Sequence, residues 1–139
     1  MRPAATARRS LVAVMAMLCA AGAGGPLAGG AGAHARRAPA HLLVDAQEWS
    51  LWPSPTSLPA GTVIVQLWNR GQDSHDLRIR RLNSAGQMTG PIEGAVKVTL
   101  SGAISQATWH LTPGRYEIYC SLPGHLMMGM HTRITVRRK

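Results

Sequence analysis

The sequence predicts an all-β fold, an antiparallel sandwich of seven or eight short strands, and three observations carry that expectation. From about Ala40 onward the apolar residues come in short stretches, and no 3.6-residue periodicity is sustained anywhere. Turn-forming clusters separate the stretches: Pro53, Pro55, Pro59-Ala60-Gly61, Asn69-Arg70-Gly71, Ser84-Ala85-Gly86, Gly90-Pro91, Thr112-Pro113-Gly114 and Leu122-Pro123-Gly124. The punctuated region is about 100 residues long, the size of one sandwich domain.

The strands follow from those boundaries. The first spans residues 42–49 and stops before Pro53, and the second, 62–68, starts after Pro59-Ala60-Gly61 and ends at the Asn69-Arg70-Gly71 turn. The third covers 75–81, and residues 81–94 form the longest segment with no assignment. Residues 96–100, 104–111, 115–120 and 131–137 complete the set. Phenylalanine is absent, so Val, Leu, Ile, the four tryptophans and Tyr116 or Tyr119 must fill the core, with Trp49, Trp52, Trp68 and Trp109 in core or rim positions.

Residues 1–35 have the pattern of an export signal. Arg2, Arg8 and Arg9 stand in an acid-free start, residues 11–23 are almost wholly apolar, and Gly/Ala-rich sequence follows to Ala33 and Ala35. Ala31-Gly32-Ala33 and Ala33-His34-Ala35 both fit a cleavage site, so processing is expected after residue 33 or 35. The apolar run is shorter than the roughly 20 residues of a membrane-spanning helix. The Arg8-Arg9 pair leaves both general and twin-arginine export open. Residues 36–41 are then a flexible lead and 42–139 the folded domain, exported to the periplasm or cell exterior.

After processing, twelve basic residues face six acids, a net charge of +6. The surplus sits at the ends and in Arg78, Arg80 and Arg81, with no interleaved aromatics, which excludes a nucleic-acid platform. Acidic partners or an anionic membrane surface suit such a charge. Cysteine usage narrows the class further, because Cys120 alone remains and no internal disulfide is possible. A lone exported thiol is buried and inert, paired with another chain, or held by a metal.

Side chains alternate faces along a strand, so parity sorts the candidate donors. Tyr116, Ile118 and Cys120 share one face, as do His75, Leu77 and Ile79, and both sets are expected inward with Cys120 and His75 at the rim. Pro123-Gly124 turns the chain so that His125, in an exposed loop, comes back toward Cys120, and Gly129 allows a bend that returns Met130. Met127 and Met128 compete with Met130 for any thioether role. His41, His110 and His131 are expected to be non-ligands. A thiolate, two imidazoles and a thioether suit copper.

On the Asn69-Arg70-Gly71 turn before His75, the Thr112-Pro113-Gly114-Arg115-Tyr116 lead into Cys120, and above all the Cys120-x4-His125-x4-Met130 spacing, the chain from about residue 42 resembles the cupredoxins, small type 1 (blue) copper proteins. The resemblance implies a Greek-key β-sandwich binding one copper ion, with His75, Cys120 and His125 as equatorial ligands and Met130 as the axial one. It further implies a monomeric electron carrier for redox partner proteins, with Met127 and Met128 as a docking patch around His125. It does not imply an enzyme, since the His-x-His and His-Cys-His patterns of multicopper oxidases and the second cysteine of binuclear centres are absent. The rival expectation is a copper-delivery protein using Met127, Met128, Met130 and His131 to capture Cu(I). One position departs from the family: Asp76 follows the first histidine where Asn or Ser often helps hold the cysteine loop. An ionised carboxylate there would favour Cu(II), but parity turns the side chain away, leaving the potential open.

Overall fold

Residues 37–138 are described by the computed structural model, and the export signal expected over 1–35 lies outside them. Nine strands form among the described residues: β1 Ala40–Gln47, β2 Ser50–Ser54, β3 Ser57–Pro59, β4 Gly61–Asn69, β5 His75–Leu82, β6 Met88–Thr99, β7 Ile104–Leu111, β8 Gly114–Tyr119 and β9 His131–Arg137. They assemble into a four-stranded sheet, β2-β1-β4-β7, and a five-stranded sheet, β3-β9-β8-β5-β6. The chain crosses between sheets after β2, β3, β4, β6 and β7, so that β8 returns beside β5 in the Greek-key manner.

Four features differ from the expectation, each for a physical reason. The β1 strand begins at Ala40, inside the segment expected to be a flexible lead, because residues 40 and 41 find partners in Val63 and Ile64 of β4. The short strands β2 and β3 were hidden by Pro53 and Pro59, yet both are edge strands, where a residue without an N–H costs no ladder bond. The same allowance lets Pro91 sit in β6, which therefore fills the second half of the unassigned 81–94 segment. The sandwich is also not wholly antiparallel, since β1 pairs with β4 and β3 with β9 in parallel. Strand direction leaves no trace in side-chain parity.

Between the sheets lie Leu42, Val44 and Ala46 of β1, Val63, Val65 and Leu67 of β4, Leu77 and Ile79 of β5, and Tyr116 and Ile118 of β8, all essentially without solvent contact. Each fully buried aliphatic side chain of this size stabilises the fold by about 1.5–3 kcal/mol. Trp109 joins the core, whereas Trp52 and Trp68 are partly exposed at the surface. The antiparallel β5–β8 pairing, with Arg78 opposite Tyr119, brings the start of β5 and the end of β8 to one end of the sandwich. The parallel β1–β4 pairing, with Ala46 opposite Asn69, brings the β1–β2 connection to the loop that precedes β5.

Candidate metal centre

Cys120 follows the last residue of β8 and is fully buried; it is the free cysteine among the described residues. The loop after it is closed by its own backbone. The His125 amide donates to the Leu122 carbonyl at 3.1 Å, Met128 to Gly124 at 3.1 Å and Gly129 to Leu126 at 3.1 Å. Met130 N–H then donates to His125 O at 3.0 Å, and Cys120 N–H to Met130 O at 3.1 Å. Gly124 and Gly129 have φ of 85° and 100°, left-handed values that a side chain disfavours, and they make the two bends the sequence suggested. The loop thus carries His125 back over Cys120, with Cys120 Sγ 3.3 Å from His125 Nδ1.

The third donor comes from the neighbouring strand. His75 opens β5 fully buried, and its Nδ1 lies 3.3 Å from His125 Nδ1. One donor atom from each of His75, Cys120 and His125 lies within 4.8 Å of the others. Bonds of about 2.0–2.3 Å, as imidazole nitrogen and thiolate make to a first-row ion such as zinc, would separate trigonal donors by roughly 3.5–4 Å. The cluster therefore fits a single ion, and its softness and borderline nitrogen content fit copper. Met130 is fully buried beside this cluster in sequence and joined to Cys120 and His125 through its backbone. His41, His110 and His131 are exposed and lie outside the cluster.

The electrostatics suit ligation. Burial holds the His75 pKa below its ordinary value, only partly offset by Glu48, so the ring stays neutral and its lone pair is free to bind. Burial likewise raises the Cys120 thiol, so a metal must displace its proton on binding. His125 is not the exposed ring the loop suggested, since only 9 % of its surface reaches solvent. Trp49 packs against it edge-on, ring centroids 4.8 Å apart, while Met127 and Met128 stand exposed nearby in the loop.

Asp76 stays on the face that parity assigned, shared with Arg78, but that face is covered by the residue after Cys120 and does not lead away from the cysteine loop. Its side chain is buried, with Oδ1 accepting the Ser121 amide at 2.6 Å and Oδ2 accepting the Ser121 hydroxyl at 2.6 Å and Arg78 Nε at 2.9 Å. A register shift between His75 and Leu77 leaves Asp76 without an opposed residue on β6, and the carboxylate bonds to the cysteine loop instead. Burial would raise its pKa, but the hydrogen bonds from Ser121 and Arg78 outweigh that and hold it below the usual carboxylate value. Glu48 is the contact that sequence reasoning missed: its Oε1 lies 3.3 Å from His75 Nε2 although the two residues are 27 apart in the chain. No local motif marks such a pairing.

No protein-family model and no curated protein matches the chain. Solved structures do. Auracyanin B superposes with a TM-score of 0.60 at 20% identity, covering 72% of this chain and 91% of that one. Auracyanin A, described as a "blue" copper protein from Chloroflexus aurantiacus, gives 0.58 at 17%, covering 72% and 100%. Reduced rusticyanin gives 0.56 at 25%, covering 70% and 78%. The fold is that of the cupredoxins, as the ligand spacing implied.

Proposed function

Taking the cupredoxin fold as premise, we propose that the protein is a type 1 copper electron carrier, with His75, Cys120 and His125 as equatorial ligands and Met130 as the axial one. The observation that carries this is the convergence of three donor atoms within 4.8 Å at the sheltered end of the sandwich. When bound, copper supplies one-electron chemistry by alternating between Cu(I) and Cu(II). The chain's own residues do the rest. Cys120 supplies a sulfur anion, the two histidines supply lone pairs from Nδ1, and the backbone-closed loop keeps their spacing unchanged between oxidation states. The small exposed edge of His125 is the port through which an electron passes to and from a partner protein, and Met127 and Met128, exposed in the same loop, serve as a docking face. This is a carrier and not an enzyme, acting outside the cytoplasm after export. Its basic surplus favours partners with acidic surfaces.

Adding Cu(II) to the purified protein tests the reading. An intense visible band from thiolate-to-copper charge transfer, with reversible one-electron chemistry, is expected. The 93 % exposure of Met127 favours a second reading, copper delivery by surface thioethers, which requires a nearly colourless protein holding labile Cu(I). Cys120→Ala abolishes copper uptake under the first reading. If Met127→Ala impairs uptake more than Cys120→Ala does, the delivery reading replaces it.

A further inference from the structure

Both ring nitrogens of His75 are engaged. Nδ1 faces His125 at 3.3 Å, and Nε2 faces Glu48 Oε1 at 3.3 Å. That same oxygen accepts the amide N–H groups of Gln72 and Asp73, each at 2.7 Å. Two backbone donors converging on one carboxylate oxygen leave that oxygen in the role of acceptor toward the histidine ring as well. An acceptor opposite Nε2 requires the ring hydrogen on Nε2, which leaves the lone pair on Nδ1.

Gly71 makes the arrangement possible. A Cβ at this position would overlap the Glu48 carboxylate, standing 2.7 Å from Cδ. Its φ lies outside the left-handed range, so space for the carboxylate, and not backbone freedom, is what calls for glycine here. Glu48 itself sits in the turn between β1 and β2, so a residue of one sheet reaches a histidine of the other.

We propose that Glu48 is a positioning residue for the copper centre: its carboxylate, gripped by the loop amides beside Gly71, locks His75 with Nδ1 toward the ion and places a negative charge one imidazole away, favouring Cu(II) over Cu(I). Carboxylates on the outer nitrogen of a ligating histidine fix the ring and raise its basicity in other metal sites. The redox half of the inference rests on the copper reading above, whereas the ring-locking half does not.

Two substitutions and a control test it in the full chain. Glu48→Gln keeps size and an acceptor oxygen while removing the charge, and Gly71→Ala keeps the charge but displaces the carboxylate. Glu93→Gln, which pairs with Arg81 at 3.4 Å, controls for net charge. In the copper-loaded protein, Glu48→Gln is expected to lower the ratio of Cu(II) to Cu(I) affinity about tenfold, an upward shift of about 59 mV for a one-electron couple. The thiolate band should persist and the control should stay at the wild-type potential. In the metal-free protein, nitrogen NMR of the His75 ring should show the Nε2–H tautomer in wild type and a mixture in Gly71→Ala. As a fallback should Gly71→Ala fail to fold, Glu48→Ala removes the acceptor outright and carries the same readout. A potential for Glu48→Gln equal to the control's overturns the redox half, and unchanged ring shifts overturn the positioning half. If wild type takes up no copper, the copper reading fails and the ring shifts alone decide the positioning.

Discussion

Two regions meet at the donor cluster and are held in different ways. The loop from Cys120 to Met130 is local: backbone bonds between residues at most ten apart close it, and two left-handed glycines set its bends. The strand half is not. His75 is placed by its pairing with Thr99 of β6, by the core beneath Leu77 and Ile79, and by the Glu48 carboxylate arriving from the β1–β2 turn. A local loop can carry a complete spacing of donors yet bind nothing until a packed scaffold delivers the last ligand. The division also explains why the loop's outer face can remain apolar and exposed: its shape does not depend on what covers it.

The sharpest way to break this contrast is to damage the scaffold and leave the loop intact. Ile79→Ala removes a fully buried side chain from β5 and is expected to cost about 2–5 kcal/mol, read as a fall in the urea midpoint. If copper uptake survived in a variant destabilised that far, the loop would be more self-sufficient than its contacts suggest.

Asp76→Ala cuts the tie between the halves. It takes the acceptor from the Ser121 amide, while the hydroxyl keeps Arg78 Nε at 3.3 Å, and a loss of about 1–3 kcal/mol is expected by denaturant unfolding, with faster amide exchange at Ser121. Gly129→Ala strains the loop alone. Its φ of 100° predicts a cost of roughly 1–2 kcal/mol, concentrated in amide exchange at Met130 and Cys120 while the core amides hold their protection. Met127→Ala should move stability by less than about 0.5 kcal/mol and leave the copper spectrum unchanged, because the side chain projects into solvent. Electron exchange with a partner is where its effect should appear.

The legibility of each half matches how it is held. Cys120, His125 and Met130 stand at fixed spacing with Pro123-Gly124 and Gly129 between them, so the bends could be placed from residue type alone. His75 was found by parity because the core enforces alternation along β5. Parity also put Asp76 on the face it shares with Arg78, but alternation could not show that Ser121 covers that face and buries the carboxylate. The prolines that obscured β2 and β3 misled for a related reason, since whether a missing N–H matters depends on a strand's place in its sheet.

By itself, then, the order of residues determined the sandwich class, the inward faces of the main strands and the donor spacing of the loop, all of which depend on near neighbours and on the two-residue repeat of extended chain. Tertiary structure alone decided the parallel pairings, the shelter of His125, the capture of Ser121 by Asp76 and the reach of Glu48 across 27 residues to His75. Those depend on which strands lie side by side, a choice made by burying the whole core at once, and no short stretch of sequence records it.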